Sequence, residues 1–178
     1  MSDKNSPLIL GTEPIGKLLA QYAIPAIIAM TASSLYNMAD SIFIGHGVGA
    51  MGIAGLALTF PLMNLAAAFG SLVGVGASTL VSVKLGQKDY EGANNVLGNV
   101  FMLNLIMGVA FSVVFLLFLD PVLYFFGASE QTISYARDYM RIILYGNVIT
   151  HMYLGLNSVL RSSGYPKMAM FATLLSVV

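Results

Sequence analysis

Long apolar runs separated by short polar links set the pattern of this chain. Four runs are complete, at about residues 18–44, 53–83, 96–119 and 133–160, and a fifth opens near 168 and runs to 178. A hydrocarbon core of about 30 Å takes about 20 helical residues to cross, and each complete run reaches that length. The fifth extends for roughly 16 Å at about 1.5 Å per residue. The pattern predicts an all-α, polytopic membrane bundle with four complete transmembrane helices and the start of a fifth. Because the last run meets no polar cap, residues 1–178 read as one truncated unit.

The links carry turn formers. Gly45, Gly47 and Gly49 fall in the first; Gly86 and Gly92 in the second; Pro121 and Gly127 in the third; Gly164 and Pro166 in the fourth. His46 reads as a residue of the first link. A signal peptide is set aside because the N-terminal segment mixes Asp3 and Glu13 with Lys4 and Lys17, and the apolar run continues to Ile44. Lys4, Lys17, Lys84, Lys88, Arg161 and Lys167 share one side of the membrane if the helices alternate, against Arg137 and Arg141 on the other. That imbalance predicts a cytoplasmic N-terminus in a multi-pass cell-membrane protein. Tyr124, Phe125, Phe126 and Tyr165 suit the membrane interface.

Composition narrows the chemistry. The chain is 57% hydrophobic and 9% charged, with no net charge and no cysteine. This is a lipid-embedded composition, since soluble domains carry roughly 25% charged residues. No basic patch points to nucleic acid, and no thiolate site or cysteine nucleophile exists. His46 and His151 are too far apart in sequence to suggest a histidine metal site. No organic cofactor is expected, and no nucleophile arrangement suggests an enzyme.

Asp40 is the only formally charged side chain between residues 18 and 44. A carboxylate at a membrane helix centre costs about 2.5–3.5 kcal/mol on insertion scales, so one retained there marks an ion, proton or ligand site. Ser33, Tyr36, Asn37 and Asp40 recur at spacings of three and four and share one helix face. Without Asp40, such a stripe reads as hydrogen-bonding glue between helices; with it, we read a cavity. Asp40 lies about 33 Å along the helix from Leu18, in the outer half of the membrane. Pro25 removes a backbone donor from the same helix and reads either as a static bend or as a hinge responding to Asp40. Pro61 reads as a bend in the second helix.

In the second helix Ala66, Gly70, Gly74, Ser78 and Ser82 repeat every fourth residue, a small-residue ridge that lets another backbone approach. Asn64 and Ser71 are candidates to border the cavity. The fourth helix carries Asn147, Thr150, His151, Asn157 and Ser158. An asparagine amide both donates and accepts, so Asn147 and Asn157 suit a cation, a substrate or helix-to-helix bonding. His151 suits either a packing role or titration near neutral pH.

Three strings carry a family resemblance. Leu35-Tyr-Asn-Met-Ala-Asp40-Ser-Ile-Phe-Ile-Gly45 resembles the first-helix signature of the multidrug and toxic compound extrusion (MATE) family. The stretch from Gly74 to Asp89 resembles its second-helix end and loop. The stretch from Leu160 to Lys167 resembles its link into helix five. The resemblance implies a twelve-helix antiporter of two lobes that exports organic cations or other amphiphilic xenobiotics in exchange for Na⁺ or H⁺. It places the family's carboxylate at Asp40, which would ligate the metal if Na⁺ is the coupling ion. It places the bending proline at Pro25 and a site asparagine at Asn157. Tyr36, Asn37, Asn64, Asn147 and His151 are the cavity-lining candidates. The remaining site residues and the second lobe would lie past Val178, so the chain is expected to need those C-terminal helices for transport. Two rival readings are a lipid or polysaccharide flippase of similar architecture and a non-transporting truncated membrane protein.

Overall fold

The computed structural model describes residues 13–177, which form six α-helices and no strand among the described residues. They are α1 (Ile15–Gly47), α2 (Ala50–Gly86), α3 (Tyr90–Leu117), α4 (Leu119–Phe125), α5 (Ile133–Ser162) and α6 (Pro166–Val177). Asp3 and Lys4, weighed above for leader and topology, lie outside the described residues, as does Val178.

Helices α1, α2 and α5 overrun the apolar stretches that announced them, and α3 starts six residues early and stops two short. A membrane helix keeps its backbone hydrogen bonds until a cap or turn ends it, so polar residues at its ends stay helical. His46 accordingly lies in the last turn of α1, not in a link, with its Nδ1 3.0 Å from the Ile42 carbonyl oxygen. Between α1 and α2 the chain turns at Gly49, whose φ of +86° suits glycine. Between α2 and α3, Asp89 caps α3 by accepting the Gly92 N–H at 2.9 Å and also accepts a 2.8 Å bond from Lys84 Nζ. Both contacts favour the carboxylate, and the lysine, with the Gly92 amide second, holds Asp89 below its ordinary pKa.

The count of helices differs from the expectation of four and a part. Leu119, read above as the end of the third run, and residues 120–125, read as part of a link, form the short helix α4. Asp120 stands in its first turn beside Pro121, and a first turn needs neither proline's missing N–H nor neutrality. Arg137 fixes α4 to α5 by donating to both Asp120 carboxylate oxygens, at 2.6 and 2.7 Å. Only α1, α2 and α3, among the described residues, are both long and apolar enough to cross a membrane by themselves. The 30-residue α5 has the length but carries Arg137, Asp138, Arg141, Asn147, His151, Asn157 and Arg161.

Helix α5 packs between α2 and α3, and these three form the centre of the bundle. Leu62, Phe111, Leu123, Met140 and Leu144 build one apolar core. Ala77, Val81, Val100 and Val159 build a second. Lipid tails are as apolar as leucine, so burial here adds packing rather than transfer energy. Close backbone approach supplies that packing. The ridge on α2 meets α5 as expected: a Cβ on Gly74 would stand 2.5 Å from the Gly155 Cα and carbonyl oxygen. On its other side Gly155 meets the Asn104 side chain of α3, which fills the place a Cβ would take. Helix α1 leans mainly on α6, and Pro25 and Ala29 are its two buried residues.

Candidate functional site

Helices α1, α2, α5 and α6 surround a cavity of about 720 Å³. The polar stripe of α1 faces it through Ser33 and Asn37. Across the cavity stand Tyr153, Asn157, Ser158 and Arg161 of α5, with Ser78 from the ridge of α2. Between these polar groups the wall is apolar, with Ala29 and Met30 of α1, Val75 of α2 and Leu154 of α5. Spacing explains why α5 offers this face. Asn157 lies six residues after His151, which at about 100° per residue turns it roughly 120° around the helix.

Asp40 does not line that cavity. It is half-buried near the far end of α1, where its Oδ2 accepts a 3.2 Å hydrogen bond from the Tyr139 hydroxyl of α5. None of the ion pairs among the described residues includes Asp40. The Tyr139 hydroxyl leaves lone pairs of the carboxylate available to a proton or a hard cation. Tyr36, one turn before Asp40, is 51% exposed and outside the cavity wall. Sequence reasoning misses Tyr139. Its signal is present all the same: it precedes Asn157 by eighteen residues, about five whole turns, so the two share one face of α5.

Asp40 and Asn157 are not brought together. Tyr139, which holds Asp40, precedes Asn157 by eighteen residues, about 27 Å along α5. Asn157 is instead tied down at both ends of its amide. Its Nδ2 donates to the Ala169 carbonyl of α6 at 3.0 Å, and its Oδ1 accepts from Arg161 Nη2 at 3.2 Å. Tyr153 makes a second tie to α6 through a 2.6 Å bond from its hydroxyl to Thr173. No cluster of three His, Cys, Asp or Glu side chains exists among the described residues.

Asn147 and His151, expected at the cavity, lie instead in the seam between α3 and α5, because that face of α5 turns toward the helices that bury it. Asn147 Nδ2 reaches Ser112 Oγ at 3.3 Å, and Ser112 donates to the Leu144 carbonyl at 2.8 Å. His151 is fully buried, with Nδ1 3.1 Å from the Asn147 carbonyl oxygen and its ring against Phe111. Asn64 stands on an exposed face of α2, outside the cavity wall. Ser71 bonds back to the Ala67 carbonyl at 2.8 Å. Of the five cavity-lining candidates, Asn37 alone belongs to the wall.

The MatE family model matches residues 25–178. The multidrug export protein MepA of Staphylococcus haemolyticus is 30% identical over 163 residues, which are 92% of this chain and 36% of that protein. An outward-facing multidrug resistance MATE family transporter of the MOP superfamily superposes with a TM-score of 0.90 at 31% identity, over 99% of this chain and 39% of that one. The MATE multidrug transporter DinF-BH gives a TM-score of 0.87 at 36% identity, over 94% of this chain and 37% of its own. The chain thus spans little more than a third of the length of these relatives. By the family match over most of its residues, the chain belongs to the MatE family.

Proposed function

We propose that this chain forms part of the N-terminal lobe of a secondary antiporter in the cell membrane. The antiporter exports organic cations or other amphiphilic xenobiotics in exchange for Na⁺ or H⁺. The observation that carries the reading is Asp40, a half-buried carboxylate with one hydroxyl partner, on the helix whose polar stripe faces a large cavity. Either ion would discharge Asp40, and a cationic cargo would compete for the same charge. Two ligands that oppose each other in this way do so reciprocally, which is the thermodynamic core of exchange. Discharging Asp40 also lowers the cost of drying the space around it. A rocking motion between lobes would then switch the side to which the cavity opens.

The excess of lysine and arginine on one side places the N-terminus in the cytoplasm in this reading. Arg137, an exception to that excess, is neutralised by its fork onto Asp120. Both lobes share the transport cycle, so activity belongs to a protein that also carries the helices found in the relatives beyond the matched stretch. The test is export of a fluorescent amphiphilic dye from efflux-deficient cells. The chain alone should leave the dye inside, and the chain extended with those helices should expel it. Retention of dye by the extended protein, at normal membrane levels, would overturn the exporter reading.

Pro25 is the proposed hinge. It is buried and leaves the Gln21 carbonyl without its helical donor. Pro25→Ala restores that bond and should stiffen α1, slowing dye export by about tenfold, on the scale of a 1.4 kcal/mol barrier change. Spin labels on either side of residue 25 should show a narrower spread of distances. Unchanged export together with an unchanged spread would leave Pro25 a static bend.

A further inference from the structure

Among the described residues, Arg161 is the only formally charged one in the wall of the large cavity. Asp40, the carboxylate proposed to couple transport to an ion, lies outside that wall. The three ion pairs among the described residues join Lys17 to Glu13, Lys84 to Asp89 and Arg137 to Asp120, and none involves Arg161. Its one side-chain hydrogen bond among these residues runs from Nη2 to Asn157 Oδ1. A guanidinium carries five N–H donors in a planar fork, so most of its donors remain available.

The fork is also positioned. Asn157, which accepts from it, is anchored through its own Nδ2 to the Ala169 carbonyl of α6. An arginine that served only membrane topology would do best with its head in water. This one is half-buried and bonded to a neighbour that two helices hold in place. The same cavity wall carries hydroxyls from Tyr22, Ser34 and Ser78 and apolar side chains such as Met30 and Leu154. A positioned cation, spare donors and apolar surface in one cavity match a molecule with an apolar body and an anionic head.

We infer that Arg161 is an anion subsite, and that this cavity selects amphiphiles bearing a carboxylate, sulfonate or phosphate over cations of the same shape. Arginine suits those heads because its fork bonds two of their oxygens at once. Asn157 is the positioning residue of the subsite. The inference deepens the exporter reading, on which it relies for why a cargo enters the cavity. It narrows the cargo of this cavity to amphiphiles that carry an anionic head, zwitterions included, and the competition with the coupling ion proposed above then belongs to those that also carry a cationic group.

The test is binding, which needs no transport. The full chain is placed in nanodiscs of zwitterionic lipid and titrated with a dansylated medium-chain carboxylic acid. Its trimethylammonium counterpart of equal length is the paired probe, with empty nanodiscs as the baseline. Wild type should bind the acid about tenfold more tightly, the scale of a charge-assisted hydrogen bond. Arg161→Gln should erase that difference, and Arg161→Lys should keep part of it. Matching thermal melts would show that the variants fold, and if Arg161→Gln does not, the graded loss in Arg161→Lys carries the test. Equal binding of both probes by wild type, binding of neither, or a preference that survives Arg161→Gln overturns the inference. The two readings fail separately. Charge selectivity in the chain without export by the extended protein sinks the exporter and leaves the subsite; export without selectivity does the reverse.

Discussion

In the extended protein, Asp40→Asn should uncouple dye export from the ion gradient while leaving the fold and membrane level intact. The substitution keeps the shape of the side chain and its ability to accept the Tyr139 hydroxyl bond, now 3.2 Å long. It removes the one property that coupling needs, a charge that an ion can cancel. An ion can shift the balance between two conformations only by binding one of them better. An amide neither titrates nor attracts Na⁺ as a carboxylate does, so the ion loses its preference. Coupling energies between sites are commonly about 1–3 kcal/mol, about 5–150-fold in affinity. The gradient's effect on export should fall by that order. The measurement is dye flux in proteoliposomes with an imposed Na⁺ or pH gradient. A gradient response in Asp40→Asn equal to wild type would remove Asp40 from the mechanism.

The largest effect on stability should come from Gly155→Ala. A first Cβ at this position would meet the Asn104 amide, which already occupies the space. Moving α5 away from α3 is opposed by Gly74, whose own approach to Gly155 leaves no slack on the α2 side. Alanine is a better helix former than glycine by roughly 1 kcal/mol. Overpacking costs about 1–3 kcal/mol, so the clash should win and the melting temperature in detergent should fall. Gly146 on the same helix is the control, because a Cβ there meets nothing within 4 Å. Gly146→Ala should melt at or above wild type. Asn104→Ala should relieve the Gly155→Ala defect by vacating the space. Equal melting of the Gly155 and Gly146 variants would mean that the three-helix seam is looser than its geometry implies.

Most of the helical layout is legible in the apolar runs, since a span of lipid demands a minimum length of uninterrupted apolar chain. What those runs miss is structure that polar residues build. Asp120 and Pro121 read as a break, yet in a first turn the same two residues start a helix. Asp89 reads as part of a link, yet its carboxylate caps α3. The site divides along a similar line. Asp40 stands out because its charge is costly where it lies, and the stripe through Ser33 and Asn37 does face a cavity. Tyr139 escapes notice because a tyrosine near a helix end reads as an interface anchor until its partner on another helix is known. Asn147 and His151 look equivalent to Asn157 on paper. Which of them faces a cavity depends on which side of α5 its neighbours cover, and spacing along one helix does not encode that.

Helix α5 has a consequence for how the protein is made. A segment bearing three arginines, an aspartate and a histidine partitions poorly into lipid as an isolated unit. Its neighbours relieve that burden. Arg137 meets Asp120 of α4, Asn147 and His151 are shielded by α3, and Asn157 is held by α6. The ribosome delivers α2, α3 and α4 first, so most of this shelter precedes α5 at the translocon. Helix α6 emerges after α5 and closes over Asn157. Membrane insertion and tertiary folding are thus one process for this segment, and a lesion in α3 or α4 would surface as a topology error in α5.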